Sequence, residues 1–275
     1  MASEGLQGHR ARKRFGQNFL HDRHWIERIA KAVNATEGDD IVEIGPGQAA
    51  LTRELIAGAG KVRAVEIDRD LAAWLKETFP ESLSLIEADA LTLDWTQVAK
   101  NDNLRVVGNL PYNISSPLLF KLLEAADHVK DQHFMLQKEV VDRMVAQHGS
   151  KTYGRLSVML QWRYRMQKLF DVPPGAFNPL PKVMSSVVRM IPKAKEEVPS
   201  VDFELFSSVV ANAFSQRRKT IRNALSALLS AEEIAACDVD PGARAEALPL
   251  DAFVRLAQKA EALGRKAVTP GTTVD

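Results

Sequence analysis

The fold class is decided by the stretch Ile41-Val42-Glu43-Ile44-Gly45-Pro46-Gly47-Gln48-Ala49-Ala50-Leu51-Thr52. Its first four residues predict a short strand, and the Gly-x-Gly-x-x-Ala pattern that follows predicts a tight turn into a helix. Glycines let the backbone approach a ligand closely, and the amino end of a helix offers unpaired N–H groups. Alone, this pattern is weak evidence for a ligand, because strand–helix turns often use glycine for packing only.

Two further predicted strands strengthen the case for a nucleotide-binding half. The segment Val62–Ile67 contains Glu66, which stands 21 positions after Gly45. That spacing places a carboxylate where it can accept hydrogen bonds from ribose hydroxyls. The next strand, Leu83–Ile86, leads to Asp89. Because parallel strands end at the same edge of a sheet, these groups predict one ligand site.

A fourth buried strand, Leu104–Gly108, is followed by the turn Asn109-Leu110-Pro111-Tyr112. Such a turn would present an amide, two main-chain carbonyls and an aromatic ring at the same sheet edge. These groups suit a flat heterocycle with an exocyclic amine, since the acceptors take its N–H bonds and the ring stacks on its face. Asn109 is neutral, so it can position an amine but cannot act as a strong base. The alternative is an ordinary Asn-Pro turn with a half-buried tyrosine.

Two cofactors could occupy such a site, a nicotinamide dinucleotide or S-adenosyl-L-methionine. Glu43 is awkward beside a pyrophosphate but suits a sulfonium cofactor that also carries an ammonium group. No hydride-handling His or Tyr-Lys pair stands near a predicted strand end. The sequence therefore favours the methyl donor. An adenine nitrogen would then displace S-adenosylhomocysteine in line, and catalysis would come mainly from positioning.

The chain resembles the KsgA-type family of ribosomal RNA small-subunit adenine N6,N6-dimethyltransferases. The matching segments are Lys13-Arg14-Phe15-Gly16-Gln17-Asn18-Phe19-Leu20, Glu43-Ile44-Gly45-Pro46-Gly47, Val65-Glu66-Ile67-Asp68, Asn109-Leu110-Pro111-Tyr112-Asn113-Ile114-Ser115 and Phe177-Asn178-Pro179-Leu180-Pro181-Lys182-Val183. Their order is that of the family. Five unrelated strings at the right separations make the resemblance specific.

The resemblance implies a role for individual residues. The implied cofactor contacts are Asn18, Leu20, Gly45, Glu66, Asp89 and Asn109. The implied catalytic residues, which hold the target adenine, are Asn109, Leu110, Pro111 and Tyr112, with Phe177 as a second aromatic wall. The resemblance also implies dimethylation of two adjacent adenines in a hairpin loop near the 3′ end of 16S ribosomal RNA. No metal ion is implied.

The predicted fold is α/β: a doubly wound, mostly parallel sheet of the Rossmann-like class I methyltransferase type. Strands are predicted at 41–45, 62–67, 83–87, 104–108, 132–137, 163–171 and 184–192, the last two closing the sheet antiparallel. A small all-helical domain follows, with helices at 203–214, 218–229, 231–236 and 250–262. We therefore predict a catalytic, cofactor-binding domain at 1–195 and an RNA-binding helical domain at 196–275.

The formal net charge of +1 conceals a strong asymmetry. Residues 37–94 contain 13 acidic and 5 basic side chains, so the rest of the chain is basic. Basic patches are Arg10, Arg12, Lys13 and Arg14; Arg143, Lys151, Arg155, Arg163, Arg165 and Lys168; and Arg217, Arg218, Lys219 and Arg222. Charge runs are usually solvated faces, but three patches in a predicted adenine methyltransferase favour a phosphate-binding surface and hence an RNA partner. Trp162 and Tyr164, within the second patch, are interpreted as core residues.

Composition excludes several other classes. The single cysteine, Cys237, excludes an intrachain disulfide and a cysteine-based metal site. The amino terminus lacks the apolar stretch of a secretory signal, and no run of about 18 apolar residues predicts a membrane helix. A cytoplasmic monomer is expected. Three alternatives remain open: a macrolide-resistance-type methyltransferase of large-subunit ribosomal RNA, a DNA adenine methyltransferase, and a chiefly non-catalytic assembly factor of the small subunit.

Overall fold

The structure is a computed structural model that describes residues 5–6, 11–12, 16–216 and 218–270. Four members of the predicted basic patches, Arg10, Lys13, Arg14 and Arg217, lie outside the described residues.

A seven-stranded sheet forms the centre of the larger unit, and a pair of two-residue strands forms a second sheet. In chain order the strands are β1 (Phe19–Leu20), β2 (Asp40–Ile44), β3 (Val62–Glu66), β4 (Leu83–Glu87), β5 (Leu104–Asn109), β6 (Val129–Gln137), β7 (Tyr164–Val172), β8 (Phe177–Asn178) and β9 (Ser185–Pro192). The large sheet has the order β4-β3-β2-β5-β6-β9-β7. Neighbours from β4 to β6 run parallel, and β9 runs antiparallel to β6. The predicted strands and the antiparallel closure are confirmed.

Helices alternate with the parallel strands. They are α1 (Arg23–Val33), α2 (Ala50–Ala59), α3 (Arg69–Thr78), α4 (Trp95–Val98), α5 (Ser115–Leu122), α6 (Lys138–Met144) and α7 (Arg155–Arg163). Asp22 caps α1, because its carboxylate accepts the N–H groups of His24 and Trp25. The cap satisfies two amide groups that would otherwise lack partners at the helix start.

One face of the sheet packs on α1 and α2. Its buried side chains include Ile41 of β2, Val107 of β5 and Met135 of β6, which contact the same apolar cluster as Ile29 and Leu55. Each of these positions is buried because the parallel strands are covered, which explains why they read as near-continuous apolar runs. The core thus fixes the strand ends that build the site.

The chain divides into two compact units. The first comprises residues 1–141 and 165–192, and the second comprises 142–164 and 193–275. The predicted boundary at 195/196 lies close to residue 192, after which the chain passes from the first unit into the second. The second unit also contains residues 142–164, which the predicted division placed in the first domain. The functional labels given to the two predicted domains stay predictions.

The second unit is helical beyond α7, with α8 (Phe203–Ala213), α9 (Ile221–Ala224), α10 (Ala231–Ala235) and α11 (Leu250–Ala262). Aromatic rings pack together in this unit: Phe214 packs against Tyr153 and Phe253, and Trp162 packs against Phe203 and Phe206. Tyr164 is 1% exposed. Tyr164 is therefore a core residue, as interpreted from its apolar setting, and Trp162 is half-buried against its aromatic neighbours.

The predicted helix at 218–229 is wrong in length, because only Ile221–Ala224 is α-helical. Thr220 adopts an extended conformation and bridges Arg244, and the Ile221 N–H donates to the Ala243 carbonyl. This long-range pairing keeps the chain extended before Ile221, and a turn in which Leu225 accepts from the Leu228 N–H ends the helix. The apolar periodicity of residues 218–229 contains no sign of the pairing with Arg244 or of the turn at Leu225.

Across the part of the chain that the structure describes, no helix is long and apolar enough to span a membrane.

Candidate active site

A cavity of about 310 Å³ opens at the carboxyl ends of β2, β3, β4 and β5. This size is in the range of ligand pockets, and the position is the one at which open α/β sheets bind ligands. The predicted site residues that line it are Asn18, Leu20, Gly45, Glu66, Asp89, Asn109, Leu110, Pro111 and Tyr112. The structure therefore brings together all but one of the residues singled out from the sequence.

The glycine turn between β2 and α2 forms one wall. Gly45 and Gly47 have φ angles of +67° and +56°, a region that residues with a Cβ rarely adopt. The Gly45 N–H donates to the Val65 carbonyl at 2.9 Å, which ties the turn to β3. A Cβ at Gly47 would lie 3.0 Å from the Phe19 ring, so this glycine also lets the amino-terminal segment approach.

Glu66 is held rigidly at the end of β3. One carboxylate oxygen accepts the Gly47 N–H at 3.2 Å, and the other accepts the Asp68 N–H at 2.8 Å. Burial raises the pKa of Glu66, and these backbone hydrogen bonds oppose that rise. A fixed carboxylate with further lone pairs can accept a pair of ribose hydroxyls.

Asp89 occupies the corresponding place after β4. Its Oδ1 accepts the Leu91 N–H at 2.9 Å, and its Oδ2 has no partner among the described residues. The side chain lines the cavity next to Ala88 and Ala90. A carboxylate oxygen at this position can accept an N–H from a heterocyclic amine.

The amino-terminal segment closes the cavity on one side. The Gln17 amide donates to Asp68 Oδ2 at 3.1 Å, and the Arg12 guanidinium pairs with Asp68 at 3.1 Å and with Asp70. Asp68 is fully buried and its N–H is held by Glu66. The segment that carries Asn18 is therefore anchored to the same loop that holds the Glu66 carboxylate.

The turn after β5 lines the cavity, and hydrogen bonds to other segments fix its polar groups in place. The Asn109 amide nitrogen donates to the Asn18 carbonyl at 3.0 Å, which leaves its Oδ1 as an acceptor. The Leu110 N–H donates to the Met135 carbonyl at 3.1 Å, and the Leu110 carbonyl has no donor among the described residues. The Tyr112 hydroxyl bonds the Ser185 hydroxyl at 2.8 Å.

Phe177 is the one predicted residue that does not line the cavity. It is 2% exposed, belongs to the apolar core and pairs with Leu20 across the small β1–β8 sheet. Phe177 therefore contacts the site through the backbone of Leu20, which does line the cavity. Its role as a second aromatic wall stays a prediction.

Sequence reasoning missed two polar residues of the site, Ser185 and His133. Ser185 starts the strand that follows the Phe177–Val183 motif, and its contact with Tyr112 had no local signal. His133 lies within β6, is 3% exposed and lines the cavity. Its Nδ1 lies 3.6 Å from Asp131 Oδ1, and neither ring nitrogen has a hydrogen bond within the described residues. A histidine in an apolar strand is a signal that could have been found.

The charges of the lining decide between the two cofactors. Three carboxylates, those of Glu43, Glu66 and Asp89, line the cavity, and no Lys or Arg stands among the described lining residues. Such a lining repels a pyrophosphate and attracts a cation. S-adenosyl-L-methionine fits this lining; Glu66 and Asp89 would be the acceptors for its nucleoside part, and the glycine turn would lie beside its amino-acid part. The fold and this site define a Rossmann-like S-adenosylmethionine-dependent methyltransferase.

Comparison with known proteins gives the particular family. Residues 8–261 match the family described as Ribosomal RNA adenine dimethylase, and the chain belongs to it. It is 57% identical over 241 residues to "Ribosomal RNA small subunit methyltransferase A" of Thiobacillus denitrificans, covering 87% of this chain and 94% of the relative. The protein of the same description from Acinetobacter baylyi is 53% identical over 256 residues, covering 92% and 93%.

Solved structures agree with this assignment. A dimethyladenosine transferase from Plasmodium falciparum superimposes with a TM-score of 0.79 at 25% identity, covering 91% of this chain and 100% of that one. The 23S rRNA methyltransferase ErmE superimposes with a TM-score of 0.69 at 26% identity, covering 89% and 100%. The predicted fold class and the predicted enzyme class are confirmed.

Proposed function

We propose that the protein dimethylates N6 of two adjacent adenines in a hairpin loop near the 3′ end of 16S ribosomal RNA within the small subunit. The observation that carries the proposal is the ordered turn Asn109–Tyr112 at a cavity that fits a cationic nucleoside. This turn combines two acceptors for an exocyclic amine with an aromatic ring. The proposal also rests on the 53% and 57% identity to small-subunit methyltransferases.

The chain contributes positioning more than acid–base chemistry. When bound, the cofactor supplies a methyl group already activated by its sulfonium. Asn109 Oδ1 and the Leu110 carbonyl would accept the two N6–H bonds of adenine, which turns the nitrogen lone pair toward the cavity. Acceptors fixed in advance also favour the positive charge that develops on this nitrogen. Holding the reactants in line can contribute ~7–11 kcal/mol.

Tyr112 would hold the target base. An adenine must leave its stack to reach a pocket, which costs a few kcal/mol and less in a loop than in a duplex. The Tyr112 ring is half-buried, lines the cavity and is fixed through its hydroxyl. It therefore offers a preformed face on which an unstacked base can lie.

The carboxyl-terminal helical region would bind ribosomal RNA. Arg218, Lys219 and Arg222 are exposed, and none of their side chains has an ion pair or hydrogen bond to another described residue. Glu233, one possible internal partner, bonds Ser230 and pairs with Arg265 instead. Cations that the protein leaves unpaired suit phosphate binding. Arg163 of the second basic patch is different, because it is 6% exposed and donates to the Lys193 carbonyl.

The alternatives predict different substrates. ErmE shows that the fold also serves a 23S rRNA methyltransferase, but its identity to this chain is 26%, about half that of the small-subunit relatives. A DNA methyltransferase would transfer methyl groups to neither ribosomal subunit. An assembly-factor role could accompany catalysis, since both need binding to the immature small subunit. A cytoplasmic monomer is proposed, since ribosomal subunits are assembled in the cytoplasm and the described residues of a single chain are enough to form the cavity.

The decisive experiment is transfer of a labelled methyl group from S-adenosyl-L-methionine into small subunits that lack this methylation. We expect four methyl groups per subunit at two adjacent adenines, because each N6 would accept two. Isolated large subunits and duplex DNA serve as parallel substrates. Label in large-subunit RNA, or binding to small subunits with no transfer, would contradict the proposal.

A further inference from the structure

Glu43 is a buried carboxylate that the positioning mechanism does not use. It lies on β2, lines the cavity and is 3% exposed. Its Oε2 has no hydrogen-bond partner among the described residues. A buried acceptor without a partner is unfavourable, and a buried ionised carboxylate in that state is far more so.

The surroundings of Glu43 contain acids, a hydroxyl, apolar side chains and one imidazole. Glu66 at the end of the neighbouring strand β3 is a second carboxylate, and α2 contributes the Thr52 hydroxyl. Toward the other side of the sheet, the register pairs Glu43 with Val107 of β5 and Val107 with His133 of β6. The lining of the cavity adds Asp89, and the described part of α1 adds only the apolar Ile29.

These surroundings favour the protonated form of Glu43. Burial raises its pKa from 4.5 to about 7, the Glu66 charge adds to the rise, and the Thr52 hydroxyl opposes it. A cation that enters the cavity reverses this balance, because an opposite charge nearby favours the ionised carboxylate. The cofactor of the proposed function carries two positive centres, a sulfonium and an ammonium group.

We propose that Glu43 is the counter-charge for the cationic cofactor and that it holds a proton until the cofactor binds. On binding, the O–H bond of the Glu43 carboxyl breaks, the proton passes to solvent, and the carboxylate stays paired with the positive charge of the ligand. This inference rests on the proposed function, since it takes S-adenosyl-L-methionine as the ligand. In this proposal Glu43 recognises the positive charge of the ligand, whereas Glu66 and Asp89 accept hydrogen bonds from its nucleoside part.

The proposal fixes the size of the effect. With half of Glu43 protonated near pH 7, binding should release about half a proton from Glu43 there and about 0.9 at pH 6. The dissociation constant should accordingly be about fivefold larger at pH 6 than at pH 7. The ligand ammonium stays largely charged below its ordinary pKa of about 7.8, so it contributes little at pH 6 and 7.

Calorimetry of S-adenosyl-L-methionine binding in two buffers of different ionisation enthalpy measures the proton count directly. We expect the release in the parent protein and its loss in Glu43→Gln, whose neutral amide has no proton to give up. Glu87→Gln is the matched control, because Glu87 is an exposed carboxylate at the end of β4 that pairs with Lys76 and does not line the cavity. This variant should release the same number of protons as the parent.

Binding without proton release at pH 6, or equal release in Glu43→Gln and the parent, would overturn the inference and leave the proposed function intact. Failure of the parent to bind S-adenosyl-L-methionine would instead overturn the proposed function. If Glu43→Gln does not fold, adenosine is the second test with the parent protein. Adenosine has no positive centre and should release no proton; equal release with both ligands would again overturn the inference.

Discussion

The Tyr112 hydroxyl lies 2.8 Å from the Ser185 hydroxyl and connects the turn after β5 to the first residue of β9. Burial raises the pKa of Tyr112, and the hydrogen bond from Ser185 opposes that rise. The phenol therefore stays neutral and keeps its anchor at ordinary pH. A ring held at both ends presents one face to the cavity without an entropy loss when the base arrives.

The Tyr112 ring should carry base binding and leave cofactor binding alone. We expect Tyr112→Ala to lose ~1–3 kcal/mol of transition-state stabilisation in kcat/KM for the small subunit, the scale of one stacked base. Its affinity for S-adenosyl-L-methionine, measured by calorimetry, should stay close to that of the parent. A variant that lost both together would show that the ring supports the cofactor pocket and has no separate role in base binding.

The anchor itself should have a smaller effect than the ring. We expect Tyr112→Phe and Ser185→Ala each to lose about 0.5–1.5 kcal/mol in kcat/KM, the net value of one hydrogen bond. The double variant should lose no more than either single variant, because all three lack the same bond. Strict additivity in this double-mutant cycle would mean that the two hydroxyls act separately.

Glu66 should contribute to cofactor affinity through charge as well as through its hydrogen bonds. We expect Glu66→Ala to weaken S-adenosyl-L-methionine binding by ~1.5–3 kcal/mol, the scale of hydrogen bonds to a charged group. Glu66→Gln keeps one acceptor and should lose less. Calorimetry gives both values, and thermal melting reports the loss of the Gly47 and Asp68 contacts. Unchanged affinity in a folded Glu66→Ala protein would remove Glu66 from the site.

The exposed cations of the second unit should bind phosphates. We expect replacement of Arg218 and Arg222 by Ala to weaken small-subunit binding and to lower its salt dependence by about one unit per lost contact. Replacement of Lys61 and Lys100, two exposed lysines of the first unit, changes the net charge equally and is the matched control. If the two arginines only stabilise the fold, the double variant should have a lower melting temperature, and the salt dependence of its small-subunit binding should equal that of the parent.

Glu43 also links stability to pH. Its pKa in the folded protein is about 7, above the ordinary value of 4.5, so the stabilising contribution of the protonated form is complete below pH 4.5 and is lost as pH rises through 7. We expect Glu43→Gln to exceed the ligand-free parent in unfolding free energy at pH 8 by up to about 3 kcal/mol. At pH 4.5 the two should be nearly equal. Denaturant unfolding at both pH values checks this, and a variant less stable at pH 8 would contradict it.

Local patterns predicted the elements well where the chain repeats a simple period. The strands at β2, β3, β4 and β5 were found because covered parallel strands are apolar throughout. The start of α1 is a local feature of the same kind, because Asp22 caps its own helix through N–H groups two and three residues later. The helix at 218–229 failed because Thr220 pairs with Arg244, a partner that no local window contains.

The sequence by itself determined the order of the elements, the glycine turn, the acidic strand ends and the Asn109–Tyr112 turn, because each depends on neighbours within a few residues. Only the tertiary structure decided that Asn109 donates to Asn18, that Tyr112 bonds Ser185 and that Phe177 lies behind Leu20 in the core. These contacts join residues about 70 to 160 positions apart. Burial and hydrogen-bond geometry are properties of the packed chain, so the proton held by Glu43 and the acceptor left on Asn109 follow from the fold.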